Sequence, residues 1–576
     1  MKSSMRIEAK RFNKYDLILL IGLILILAFS CWKAHFGACG YDEAFYSSIA
    51  YKLTRGDALF ANEWHGSQMS AMLIYPFAAL YTWIFGSCSG IILASRIVYS
   101  FIHCAVSAVF YARFRKYGFA AIAAALLYAL FFPYNVQCFC YNSIGMDCVF
   151  LSCVLAASNE SRRLWRYYLS GVFFAAACLC QPLLVCCFLI GGAGVCAYSA
   201  IKRAWIVKYA LVMALGAASL GALVTAHLLC SVGGQRILAA LPGILSDPEH
   251  SVSVSLLQKL IRTLKLYMPS VGGDHRMLSV AYFAAAIGVS AAAVIRKIRG
   301  RGSRALLTIA ALLAVLYDLI CARHLADSYI NFILFPWIFP GFIAILNRND
   351  RQTVRQYSIF AAFSLAHAIS FVTSNQNAHV YNIGAMPLTL FSILLVLDEL
   401  QTAAARKKKW MCFSIASAAI CTFAVMIAAR AGYCFWEDVY VGQMRARIDT
   451  GAYRGVYTTD LNRDSIQNIT DEFYDAGLVD KDNVLIFSRY TCLSLEQRGQ
   501  TAQYSAWLSG LNEATVERLK QYYDLNPERF PKYAFLVKQD WEKPDDGIRI
   551  LNSLWADGST VEITEYPNSY LISVEE

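Results

Sequence analysis

Apolar stretches of bilayer-spanning length, about 17–25 residues, recur along this chain from residue 17 to residue 430. They fall near 17–33, 91–112, 118–133, 142–158, 166–182, 183–200, 205–230, 277–296, 304–322, 329–347, 355–373, 383–399 and 410–430, and predict about thirteen transmembrane helices. Met69 to Phe85 is apolar enough to be a span, but counting it would invert the sidedness of every later basic cluster. It is read instead as a helix in the outer membrane interface, where Tyr75, Tyr81 and Trp83 suit the depth. Past residue 431 the pattern shortens. Val484 to Phe487, Tyr533 to Val537 and Tyr570 to Val574 read as strands, with a helical pattern over Glu513 to Tyr523 between them.

Composition agrees with a membrane class. Of 576 residues, 57% are hydrophobic and 16% charged, with a mean hydropathy of +0.44, too little charge for a soluble chain of this length. Met1 to Asp16 is basic and Leu17 to Trp32 apolar; no small-residue cleavage site follows, so an uncleaved first span is expected. The net charge of +11 resides in short clusters between spans: Arg113 to Lys116, Arg162-Arg163, Lys202-Arg203, Arg296 to Arg304, Arg348 to Arg355 and Arg406 to Lys409. That distribution argues against nucleic acid and marks cytoplasmic loops. With the amino terminus cytoplasmic, all six clusters fall inside. The expectation is a multi-pass plasma-membrane protein: an α-helical membrane domain over 1–430, outer loops over 34–90 and 232–276, and a small extracytoplasmic α/β domain over 431–576.

Most of the 19 cysteines lie in apolar spans and act as small hydrophobes. Cys434 and Cys492, the two in the outer domain, are a candidate disulfide in an oxidising compartment. No CxxC pair or histidine cluster has zinc spacing, and no glycine-rich phosphate loop is present.

Candidate chemistry gathers in the outer loops. Asp42-Glu43 follows the first span, where carboxylates near hydrocarbon are costly and usually functional. A carboxylate there can take a proton from a hydroxyl nucleophile; the plain alternative is helix capping by Asp42. Asp147 lies one turn inside the fourth span, as a functional acid, a cap or a partner of Arg96. Arg96, at the outer start of the second span, either snorkels to headgroups or holds a phosphate with its fork of donors. Arg323 and His324 admit the same two readings. His65 is a ligand, a proton carrier or simply interfacial. Lys265 lies with Lys259 and Arg262 on one face of a basic amphipathic helix predicted over Ser253 to Tyr267. Asn375, Asn377, His379 and Asn382 make a further polar outer loop.

The order of these parts resembles the C-type membrane glycosyltransferases, in particular the protein O-mannosyltransferase and aminoarabinose-transferase branch. Asp42-Glu43 matches the acidic pair of the first outer loop, and His65 with Tyr75 to Phe85 the interfacial aromatic helix. Ser95-Arg96-Ile97 matches the opening of the second span, without its proline. Asp147 matches the second acid, Gln181-Pro182 a lysine-proline pair, and Tyr329 to Pro340 an aromatic, proline-rich span. The likeness is good over about the first 200 residues and topological beyond them.

The resemblance implies a sugar donor on a polyprenyl phosphate and a glycan, lipid or protein acceptor, with Asp42 as general base. Arg96, Lys265 or Arg323 would stabilise the departing phosphate. Glu43 and Asp147 would orient groups or bind a divalent cation, which prefers carboxylate oxygen. The competing class is a transporter or lipid flippase with an extracytoplasmic ligand-binding domain, in which Asp42, Asp147 and Arg96 would line a pathway. A receptor-like reading explains the tail but not the acidic loops.

Overall fold

The structure is a computed structural model that describes residues 12–158, 163–202, 206–246, 258, 276–300, 303–322, 327–371, 379–405, 409–434, 437, 439–508, 513–538, 548, 551, 554–555 and 561–574. Arg323, His324, Asn375, Asn377, Lys265 and nearly all of Ser253 to Tyr267 lie outside the described residues, as does the side chain of His379.

A helix lies at each of the thirteen stretches predicted as spans. Eight helices among the described residues are long and apolar enough to cross a membrane. Helix α1 (Lys14–Lys33) packs against α4 (Ile91–Phe114) and α5 (Phe119–Leu130). The stretch predicted over 329–347 is broken: two 3₁₀ turns, Asp327–Phe332 and Phe335–Trp337, precede a short helix Ile338–Leu346. Leu334 at the break has φ +75°, and its N–H is received by the buried carboxylate of Asp318 at 3.2 Å. The indole of Trp337 and the hydroxyl of Thr422 also donate to Asp318, so this intramembrane acid holds the break.

Two further helices precede α4. Helix α2 (Asp42–Thr54) starts at the acidic pair, and α3 (Ala71–Phe85) covers most of the stretch predicted as an interfacial helix. Its 15 residues span about 22 Å at 1.5 Å per residue, short of a hydrocarbon core of about 30 Å. Trp83, Ile84 and Phe85 are exposed at its end.

The carboxyl-terminal domain is built on a four-stranded sheet of order β3 (Val484–Phe487), β4 (Tyr533–Val537), β6 (Ser569–Val574), β5 (Val561–Glu565). β3 and β4 are parallel, and the other pairs antiparallel. A two-stranded ladder, β1 (Ala446–Arg447) with β2 (Tyr457–Thr458), stands beside it. The sequence pattern missed β5: at this exposed sheet edge Glu562 and Thr564 take one face and Val561, Ile563 and Glu565 the other, so no wholly apolar face announces it. Cys434 and Cys492 are both buried and both free. Cys434 packs with Val441 and Met444 and Cys492 in the sheet-domain core, so the candidate disulfide is not formed.

The sheet domain sits on the end of the bundle that holds Lys33, and Arg115 and Arg348, from two of the basic clusters, lie at the other. There Arg115 pairs with Asp16 at the start of α1, and Arg348 with Asp398 and Glu399.

Close backbone approach, not side-chain bulk, joins the helix Leu164–Cys180 to the helix Val207–Ser231. A Cβ on Gly171 would overlap the Met213 carbonyl oxygen, and one on Gly216 that of Tyr168. Gly171→Ala is therefore expected to cost at least about 1–3 kcal/mol through overpacking, read as a lower unfolding midpoint in detergent. Gly192→Ala, in open space, is the control expected to show no loss; equal midpoints would contradict this packing.

Candidate active site at the membrane face

The two adjacent carboxylates do different things. Consecutive helical residues point about 100° apart, and α2 turns Glu43 inward and Asp42 outward. Glu43 is 4% exposed and receives Arg96 on both oxygens, Nε to Oε1 at 3.0 Å and Nη2 to Oε2. The remaining N–H groups of Arg96 go to backbone carbonyls: Nη1 to Ala34 at 2.7 Å and Phe36 at 3.2 Å, Nη2 to Gly37 at 2.6 Å. All five guanidinium donors are thus used. Arg96 binds the end of α1, the start of α2 and its own helix α4 together, and keeps none of its donors for a phosphate.

Asp42, partly exposed, opens α2 on the other side. Its charge reaches Tyr46 and Tyr134. Burial pushes both phenols well above their ordinary value, with Tyr141 and then Asp42 adding to the rise. The Tyr46 and Tyr141 rings lie 5.2 Å apart. Tyr46 Oη meets Ser67 Oγ at 3.2 Å, and Ser67 Oγ meets His65 Nδ1 at 2.8 Å. The Ser67 backbone N–H also donates to Nδ1, so that nitrogen is an acceptor and a neutral His65 carries its proton on Nε2. The structure thus links His65 to Tyr46, and so to the surroundings of Asp42, through one serine.

Asp147 is elsewhere. It accepts from Tyr99 Oη at 2.9 Å and from Tyr128, and lies 2.8 Å from His103 Nδ1, whose Nε2 is 2.8 Å from the Tyr128 carbonyl. His103 is fully buried, so Asp147 belongs to a closed polar network inside the bundle and pairs with neither Arg96 nor the loop. Gln181, matched in the resemblance to a lysine-proline pair, receives Ser370 Oγ at 2.6 Å.

A divalent cation does not fit Glu43 and Asp147. Both Glu43 oxygens are taken by Arg96, and both Asp147 oxygens by protein donors. No cluster of three metal-ligating side chains occurs among the described residues.

The sequence reading missed a cationic pocket beside the ion pair, lined by Lys33, Glu43, Arg96, Asn135, Gln137 and Cys434 among others. Lys33 is 4% exposed; its Nζ donates to the Tyr433 carbonyl at 2.7 Å and meets Cys434 Sγ. Behind the pocket, fully buried Arg430 donates to Asn135 Oδ1 and Gln137 Oε1 and stacks 4.4 Å from the Phe132 ring. Glu43 is the only carboxylate lining the pocket, and Arg96 already neutralises it. Lys33 and Arg430 went unnoticed because basic residues at span ends ordinarily snorkel. The turn carrying Asn135 gave no signal either: Tyr134 and Asn135 both have positive φ, +56° and +62°, a strained pair fixed by Arg430 and by Asn331, which accepts from the Tyr134 N–H at 2.8 Å.

In fold the chain is similar to the oligosaccharyltransferase of Archaeoglobus fulgidus, crystallised with zinc and sulfate, at TM-score 0.47 and 12% identity over 96% of this chain and 73% of that one. It is also similar to ArnT, the aminoarabinose transferase, of Cupriavidus metallidurans in its apo state, at TM-score 0.43 and 13% identity over 97% of each chain. At these scores and identities the likeness carries no residue-level equivalence. No family model and no curated protein matches the chain.

The buried pair makes a direct stability test. Glu43→Ala strands the Arg96 charge and is expected to cost about 3–5 kcal/mol, while Glu43→Ala with Arg96→Ala costs clearly less than the sum of the single variants in thermal unfolding. Additive losses would contradict the pairing. Because Glu43 and Asp147 are committed to protein donors, treatment with a chelator is expected to leave the unfolding midpoint and turnover unchanged; a loss restored by added Mg²⁺ or Mn²⁺ would contradict it.

Proposed function

We propose that this protein is a membrane glycosyltransferase that moves a sugar from a polyprenyl-phosphate donor to an acceptor hydroxyl. The basic clusters at the far end of the bundle favour a cytoplasmic placement there, which puts the reaction at the outer face of a plasma membrane. One observation carries the reading: Arg96 takes both oxygens of Glu43, while the partly exposed Asp42 lies beside Tyr46 and Tyr134. Asp42 takes the proton of the acceptor hydroxyl. The hydroxyl oxygen then bonds to the anomeric carbon, and the bond from that carbon to the phosphate oxygen breaks. Its electron pair leaves on the lipid phosphate.

Lys33, with Arg430 behind it, favours the anionic leaving group by charge. Arg96 serves by fixing Glu43. A transporter pathway through Asp147 is disfavoured, because Tyr99, His103 and Tyr128 enclose that acid.

General-base catalysis contributes about 10²–10⁴-fold. Asp42→Asn is expected to lose turnover by about that factor in reconstituted vesicles, while the unfolding midpoint and its rise on adding polyprenyl phosphate stay as in the wild type. Unchanged turnover would remove Asp42 from the mechanism.

A further inference from the structure

The sheet domain grips the chain leading into Asp42. Gly37 N–H donates to the Tyr457 carbonyl at 2.8 Å, and Ala38 N–H to Glu437 Oε1 at 2.8 Å. The Cys39 carbonyl receives Tyr453 Oη. Gly40 lies flat on Tyr490, where a Cβ would come within 2.7 Å of the ring. The carbonyls of Gly40 and Tyr41 share the Thr491 hydroxyl, and the Tyr41 and Tyr490 rings are 5.4 Å apart. Five consecutive residues are each held by the sheet domain, and the sixth is Asp42.

Helix α2 lacks the usual device for fixing its start. Tyr41 is its N-cap and offers no side-chain cap bond, although a capping oxygen ordinarily anchors the first turn. The first intrahelical acceptor is the Tyr41 carbonyl, which receives the Phe45 N–H at 3.2 Å and also the Thr491 hydroxyl. About two turns past Tyr41, Ser48 Oγ donates to the Thr491 carbonyl at 2.9 Å. Thr491 therefore binds α2 on both sides of its first turn, and it is 1% exposed.

We propose that the sheet domain is an alignment strap for Asp42, with Thr491 as its positioning residue. Resting on the reading of Asp42 as the base, this gives the domain a role in turnover without contact with donor or acceptor. A displacement near 1 Å at a reacting group is enough to lower a rate about a hundredfold.

The test uses the full chain in nanodiscs, with hydrogen exchange and turnover measured together. Thr491→Val keeps the side-chain volume and removes the hydroxyl; Thr491→Ser keeps the hydroxyl. Amide exchange over residues 45–48 is expected to rise about tenfold or more in Thr491→Val, with the sheet-domain strands unchanged. With a polyprenyl-phosphate sugar as donor, kcat falls by about ten- to a hundredfold at constant KM, and Thr491→Ser restores both readouts. Tyr453→Phe, which removes the donor to Cys39, is expected to loosen the same segment and stands in if Thr491→Val does not fold. Unchanged exchange over 45–48, or equal loosening by Val and Ser, overturns the strap. Loosened exchange with full turnover in Asp42→Asn would instead overturn the assignment of the base and leave the strap standing.

Discussion

The ion pair between Arg96 and Glu43 is the constraint on which the rest of the site depends. A buried guanidinium cannot shed its proton, so it needs a partner for its charge and an acceptor for every N–H. Glu43 supplies the charge and two acceptors; the carbonyls of Ala34, Phe36 and Gly37 supply the others. Those groups belong to the end of α1, the connecting segment and the start of α2. Meeting the needs of one side chain therefore fixes where the first membrane helix stops and the acidic helix begins.

Two consequences follow for chemistry. Because α2 separates neighbouring side chains by about 100°, burying Glu43 against Arg96 turns Asp42 to another face of the helix, toward Tyr46 and Tyr134. Because Arg96 is neutralised, the positive character of the adjoining pocket comes from Lys33 and Arg430, whose polar contacts include no carboxylate. The sheet domain completes the arrangement by holding the connecting segment from above.

Much of the fold was legible in the sequence because it is written in local patterns. Span positions follow from runs of apolar residues, and β3 and β4 from short apolar runs that the structure places where they were predicted. The acidic pair also stood out, since charge near hydrocarbon is rare. What stayed hidden depends on contacts far apart in the chain. Arg96 looked free to bind phosphate, and only the fold brings it to Glu43, 53 residues away. Asp147 looked like an active-site acid, but His103 and Tyr99, inward-facing on α4, enclose it. Lys33 and Arg430 resembled ordinary span-end cations until the turn at Tyr134-Asn135 joined them. That turn rests on positive φ at two non-glycine residues, which no periodicity reports.

The most direct measurement is a structure with a non-hydrolysable polyprenyl-phosphate sugar and an acceptor hydroxyl bound. The account predicts that hydroxyl within about 2.6–3.2 Å of an Asp42 oxygen, the reach of a general base, with the phosphate on the Lys33 side and the Arg96–Glu43 pair intact. A Glu43 released from Arg96 and turned toward the anomeric carbon, with Asp42 away from the acceptor, would contradict it.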